Sequence, residues 1–134
     1  MSRSGYTDDE SYPGQFALWR GRVMSSIRGK RGQKLLLELA EAMDAMPEKE
    51  LIAHELVADG AHCALGVVGA KRGVDIASID PEDAGQVATA FNIAECLAQE
   101  ITYINDEDGR YDETAAARWV RVKAWVAKQI TVAP

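Results

Sequence analysis

The chain has 134 residues, of which 47% are hydrophobic and 27% charged, and its formal net charge is −6 at pH 7. This length and composition predict one globular domain with its own hydrophobic core. No apolar run approaches the roughly 20 residues that span a bilayer, and the polar first ten residues lack the apolar centre of a signal peptide. We therefore expect a protein of the cytoplasm that has no contact with a membrane.

The first segment, 1–13, combines Ser, Gly and three consecutive acidic residues, and we expect it to be flexible. The rest of the chain, 14–131, is dominated by apolar residues that repeat at three and four positions. This pattern predicts a mainly α-helical single domain of about five helices, with at most a small β-hairpin.

Two antiparallel helices are predicted to open this domain. The first is expected over 15–28, and its apolar stripe consists of Phe16, Trp19, Val23 and Ile27. The second is expected to begin at Gly32 or Gln33 and to end at Pro47. Residues 29–32 would then form the short loop of an αα-hairpin.

Residues 48–63 are compatible with two alternatives. The Asp59-Gly60 pair favours a hairpin turn between strands near 51–57 and 61–63, although a helix over 48–58 fits the propensities nearly as well. We prefer the hairpin. A short helix is expected next, over 64–72, and we expect its two internal glycines to permit close approach of another backbone.

The C-terminal half is predicted to contain a long amphipathic region and a final helix. Asp80-Pro81 is typical of a helix start, and the apolar repeat that follows fits one long helix or two helices with a break near Asn92. An acidic loop is expected over 105–111. The last helix is expected over 114–130, and its inward residues should be Trp119, Val122, Val126 and Ile130.

Charge is distributed unevenly along the chain. Six cations and no acid lie between Phe16 and Leu37, so the net charge of −6 combines +6 on this segment with −12 on the remainder. The functional interpretation is contact with phosphates or with an acidic protein surface. The alternative is a solvated surface that pairs with the protein's own acids. The candidate contact residues are Arg20, Arg22, Arg28, Lys30, Arg31 and Lys34.

Residues 86–101 superficially resemble a helix-turn-helix, with Asn92 at the turn. The second helix would present Glu95, Gln99 and Glu100 but no Arg or Lys, whereas a recognition helix needs donors for guanine and phosphate. An amphipathic core helix is therefore the better interpretation of this element.

The sequence offers little for catalysis or metal binding. The spacing of His54, His62 and Cys63 matches no standard zinc framework, and glycine-rich phosphate loops and nucleophile elbows are missing. We expect no catalytic residue, no metal ion and no cofactor, and we expect both cysteines to be reduced core thiols. Three aromatic residues could serve as interface anchors, although Trp125 could equally widen the buried face of the last helix: Tyr103, Tyr111 and Trp125.

Several short strings carry a resemblance that spans about Trp19 to Val126. The strings are Leu18–Gly21, Ile27–Gln33, Ala45–Lys49, Cys63–Gly66, Ile104–Glu107, Arg118–Trp119 and Trp125–Val126. Through these strings the chain resembles small proteins of proteobacterial phages and prophages whose activity is not known.

This resemblance implies a non-catalytic accessory protein that binds a host macromolecule, a class that includes inhibitors of CRISPR effectors and of other defence systems. The basic segment would be its contact surface. The alternative is a regulator that binds nucleic acid through the same cations. A homodimer is compatible with either function.

Overall fold

The structure, a computed structural model, describes residues 3–6 and 13–131. Within these ranges the chain forms six α-helices, a 3-10 turn at Ile76–Ser78 and one two-stranded antiparallel hairpin. The predicted mainly helical domain with a small hairpin is confirmed. Its elements are α1 (Pro13–Arg28), α2 (Lys30–Asp44), β1 (Val57–Ala58), β2 (Ala61–His62), α3 (Ala64–Arg72), α4 (Ala84–Phe91), α5 (Glu95–Asp106) and α6 (Ala115–Gln129).

Helix α5 lies at the centre of the domain and packs against α1, α3, α4 and α6, while α2 packs against α1, α3 and α6. Glu95 is exposed, and every other residue of α5 is buried or half-buried. The polar residues Glu100 and Asn105 are therefore among the buried side chains of the central helix. Because buried polar groups need hydrogen-bond partners, these two positions determine where neighbouring segments attach.

The junction between α1 and α2 is tighter than predicted. The loop expected over 29–32 is reduced to Gly29, because α2 already begins at Lys30. Gly32 is buried against the last turn of α1, and a Cβ atom there would lie 3.0 Å from the Ser26 carbonyl carbon and closer still to the Ser26 oxygen. The absence of a side chain thus lets the second helix start directly on the end of the first.

Helix α2 also ends earlier than predicted. Its last residue is Asp44, and the N–H of the capping residue Ala45 donates to the Glu41 carbonyl. The expected end at Pro47 was therefore wrong by three residues, because the last intrahelical bonds are already made before the proline restricts the backbone.

The hairpin predicted around Asp59-Gly60 is present, but each strand has only two residues. The segment 51–56 is not a strand, and its Leu51 N–H instead donates to the Ala115 carbonyl at the start of α6. The following helix α3 has the predicted bounds. Its Gly66 lies against the Leu56 carbonyl group, which confirms the expected close approach to another backbone for this glycine. The expectation was wrong for Gly69, which lies against the side chains of Ile76 and Phe91.

The predicted start of the next helix at Asp80 was wrong. Asp83 caps α4 by accepting from the Gln86 N–H, whereas the Asp80 side chain accepts from Glu82 in the preceding turn. Asn92 ends α4 with a φ of 56°, so the two-helix alternative is correct. Asparagine tolerates this left-handed conformation better than most residues.

Helix α6 begins as predicted, with the Thr114 hydroxyl accepting from the Ala117 N–H. Val122 and Val126 are buried, while Trp119, Trp125 and Ile130 are half-buried and pack against the core. Trp125 therefore widens the buried face of α6. Phe16, predicted for the buried stripe of α1, belongs to that helix, and its side chain lies outside the described part of the structure.

Both cysteines are free thiols, and they differ in exposure. Cys63 is 1% exposed, and Cys96 is half-buried. We expect a thiol reagent to modify Cys96 in the native protein and Cys63 only after unfolding, because the reagent must reach the sulfur. Ellman titration in buffer and in urea measures both rates, and equal native rates for the two thiols would contradict this placement.

None of the helices in the described part of the chain is both long enough and apolar enough to cross a membrane.

Candidate functional site

Five of the six predicted contact cations are exposed where α1 meets α2. Arg22 and Arg28 lie on the last two turns of α1, and Lys30, Arg31 and Lys34 lie on the first turns of α2. We call these five residues the basic corner. Its position follows from Gly32, which brings the two helix ends into direct contact.

The basic corner differs from most other cations of the protein in its ion pairing; outside it, only Lys49 and Lys128 also lack a carboxylate partner among the described residues. Among the described residues, eight of the fifteen Lys and Arg side chains have a carboxylate oxygen within 4 Å, and no member of the basic corner does. Arg31 donates to the Asn92 side-chain oxygen at 3.4 Å. The described acids of the protein therefore leave the charge of this surface uncompensated.

Two members of the basic corner, Lys30 and Arg31, lie where the dipole of α2 disfavours a positive charge. The first turn of α2 carries Lys30 and Arg31 and no acidic residue, and Gly29 supplies no side-chain cap. A helix N-terminus bears partial positive charge, so each cation there costs a few tenths of a kcal/mol, about 0.3 to 1 at most. Lys30 and Arg31 therefore do not stabilise α2.

Arg20, the sixth predicted contact residue, is held by an internal network. Its guanidinium donates to both oxygens of Glu100 at 2.8 and 3.1 Å, and the Glu100 side chain is 5% exposed. The Tyr6 hydroxyl also donates to Glu100, and Trp19 Nε1 donates to Tyr6 at 3.2 Å. The hydrogen bond to Glu100 raises the pKa of Arg20. We therefore leave Arg20 out of the basic corner.

The α4–α5 pair has the connection of a helix-turn-helix, but α5 is not available to nucleic acid. It lies between four other helices, and its Glu100 is occupied by Arg20. A recognition helix must present one face to a groove. The structure therefore favours the core-helix interpretation of residues 86–101.

A cavity of about 780 Å³ lies between residues 5–6 and helices α1, α5 and α6. Four aromatic side chains line it: Tyr6, Trp19, Tyr103 and Trp125. The sequence identified Tyr103 and Trp125 as possible anchors, but it did not place them near each other or near Tyr6. Tyr111, the third aromatic candidate, is fully exposed and lies outside the cavity.

Gly5 and Tyr6 form one wall of this cavity, and residues 3–6 are anchored at the C-terminal end of α5. Arg3 donates to the Asp106 carboxylate at 2.5 and 2.8 Å, and the Ser4 hydroxyl donates to Glu107. Asp106 also accepts from the Asn105 side chain and the His54 N–H. Of the segment expected to be flexible, Arg3 and Ser4 are buried, Tyr6 is half-buried and Gly5 is exposed, and residues 1–2 and 7–12 lie outside the described part.

The Asp106 carboxylate is stabilised in its charged form. Burial alone would raise its pKa, but the hydrogen bonds and charge of Arg3 outweigh burial, and the bonds from Asn105 and His54 act in the same direction. The pKa of Asp106 is therefore lower than that of an ordinary aspartate. Its side chain is the anchor that fixes residues 3–6 to the domain.

No group of three or more His, Cys, Asp and Glu side chains within residues 3–6 and 13–131 is placed to hold a metal ion. Comparisons of the chain with protein-family models, with curated proteins and with solved structures find no match. The functional proposals therefore depend on the geometry of the basic corner and of the aromatic cavity.

Proposed function

We propose that this protein is a non-catalytic binding protein whose basic corner contacts an acidic surface of a host macromolecule. The observation that supports this proposal is the set of five exposed cations that have no carboxylate within 4 Å among the described residues. The phage resemblance suggests the biological class, an accessory protein that inhibits a bacterial defence system such as a CRISPR effector and acts in the host cytoplasm.

An acidic protein surface suits the basic corner better than a long duplex does. The segment that contains the corner is opposed by −12 on the remainder of the chain, and that charge would repel an extended phosphate backbone. A protein partner can instead place its acids on the corner alone. The alternative is a regulator that binds nucleic acid with the same cations. It requires that the logarithm of the binding constant fall steeply and linearly with the logarithm of the salt concentration.

The first test separates binding from stability. We expect the triple variant Arg28→Ala/Lys30→Ala/Arg31→Ala to change the free energy of unfolding by less than about 1 kcal/mol. None of the three side chains has a carboxylate oxygen within 4 Å among the described residues, and Lys30 and Arg31 oppose the dipole of α2. The same variant should capture at least tenfold less partner from a proteobacterial lysate than the wild type does, because each exposed contact charge contributes to docking. Urea unfolding and quantitative capture measure the two effects.

A matched control removes three exposed cations from elsewhere. Lys71→Ala/Arg110→Ala/Lys128→Ala has the same net charge as the corner variant, and all three side chains are exposed outside the basic corner. This control should capture the partner as the wild type does. If both variants lose the partner equally, overall charge and not the corner governs binding, and the proposal fails.

A further inference from the structure

The aromatic cavity carries more negative charge than the described cations around it neutralise. It is lined by three carboxylates, Glu100, Glu107 and Asp108, against one guanidinium, Arg20. Arg20 is already bonded to both oxygens of Glu100. Glu107 receives the uncharged hydroxyl of Ser4, and the Asp108 side chain is 47% exposed at 3.9 Å from Arg121. A positively charged ligand would therefore meet an excess of carboxylate in this cavity.

The aromatic walls present ring faces and edges in different orientations. The Tyr6 ring is nearly perpendicular to Trp19, at 85° with 5.8 Å between centroids, and it lies 5.0 Å from the Tyr103 ring at 38°. Trp125 adds a fourth ring from α6. Aromatic faces attract cations through their quadrupole, and several rings around one space form the usual binding site for alkylated ammonium groups.

The carboxylates act on the aromatic wall itself. Burial raises the pKa of Tyr103, and the charges of Asp108, Glu107 and Glu100 raise it further, against the opposing effect of Arg20. The negative field of the three carboxylates thus outweighs the guanidinium at the position of this ring. The same field would favour a cation in the space beside it.

We propose that this cavity binds a small organic cation of the alkylammonium class, held by the rings of Trp19, Tyr103 and Trp125 and balanced in charge by Glu107 and Asp108. A volume of about 780 Å³ is ordinary for a small-molecule site. The site is separate from the basic corner and does not depend on the function proposed for it. Gly5 and Tyr6 close one side of the cavity, so the ligand would hold the segment 3–6 against α5.

Calorimetric titration of the full chain with choline tests the proposal, and 3,3-dimethylbutan-1-ol is the matched probe because it has the same shape without the charge. We expect choline to bind at least about tenfold more tightly than the neutral alcohol. Equal affinities would show a cavity that is merely apolar, and the absence of saturable binding by choline would show no cation site. Either result would overturn the proposal.

Two isosteric variants locate the binding. Asp108→Asn should weaken choline binding several-fold, whereas Asp112→Asn should not, because Asp112 has a comparably exposed side chain but lies outside the cavity. The corner variant Arg28→Ala/Lys30→Ala/Arg31→Ala should bind choline as the wild type does. Equal effects of the two aspartate variants would place the cation elsewhere and reject the assignment.

Discussion

Replacing Gly32 with alanine is expected to destabilise the domain by about 3 kcal/mol, because the new methyl group would overlap the backbone of α1. A Cβ atom at this position would lie 3.0 Å from the Ser26 carbonyl carbon and 3.1 Å from the Ile27 carbonyl oxygen. These are backbone atoms of a packed helix, so they cannot rotate away as a flexible side chain could. The free energy of unfolding, measured by urea denaturation, gives the cost.

Gly21 provides the matched control on α1. Nothing lies within 4 Å of a Cβ atom built there, and the residue is exposed within the helix. Gly21→Ala should therefore stabilise the protein by up to about 1 kcal/mol through helix propensity alone. Similar changes in stability for Gly21→Ala and Gly32→Ala would contradict the close contact between α1 and α2.

Breaking the buried ion pair of Arg3 and Asp106 is expected to cause the second large loss of stability. Asp106→Asn keeps the size of the side chain but leaves the Arg3 guanidinium, whose side chain is 3% exposed, without its counterion. We expect a loss of about 3 kcal/mol at pH 7, at the lower end for a buried pair because residues 3–6 can detach and rehydrate the guanidinium. Urea unfolding at neutral pH measures this difference from the wild type.

Acid should remove this difference. The native pKa of Asp106 is lowered, so its contribution to stability is fully present above the unfolded value of about 3.9 and declines as the pH falls through the native pKa. The unfolding free energies of the wild type and Asp106→Asn should therefore converge below about pH 4. Asp112→Asn serves as the exposed control. A wild-type advantage that stays constant from neutral to acidic pH would show that charge on Asp106 is not its source.

The sequence predicted those helix ends that are determined by the side chain or backbone of the terminal residue itself. Thr114 caps α6 with its own side chain, and Asn92 ends α4 in a left-handed conformation, so both boundaries were visible in the sequence. The start of α2 was not, because it depends on Gly32 meeting the Ser26 carbonyl group across a helix junction. The start of α4 was missed since two aspartates, Asp80 and Asp83, both resemble caps.

The two candidate sites also differ in how far the sequence alone could predict them. The basic corner could be predicted because no acid lies between Phe16 and Leu37 in the sequence. None of its five cations has a carboxylate oxygen within 4 Å in the described part of the structure. Arg20 could not be separated from them, because its partner Glu100 is 80 positions away. The aromatic cavity depends on Arg3 meeting Asp106 over 103 positions, and no local pattern indicates such a contact.

Capture by the tagged full chain from a nuclease-treated proteobacterial lysate, read by quantitative mass spectrometry, tests the role of the basic corner most directly. The proposal predicts a defined protein complex that survives nuclease and is lost in the variant Arg28→Ala/Lys30→Ala/Arg31→Ala. Recovery that disappears with nuclease would assign the corner to nucleic acid instead. Recovery that is unchanged in the variant would contradict any binding role for these cations.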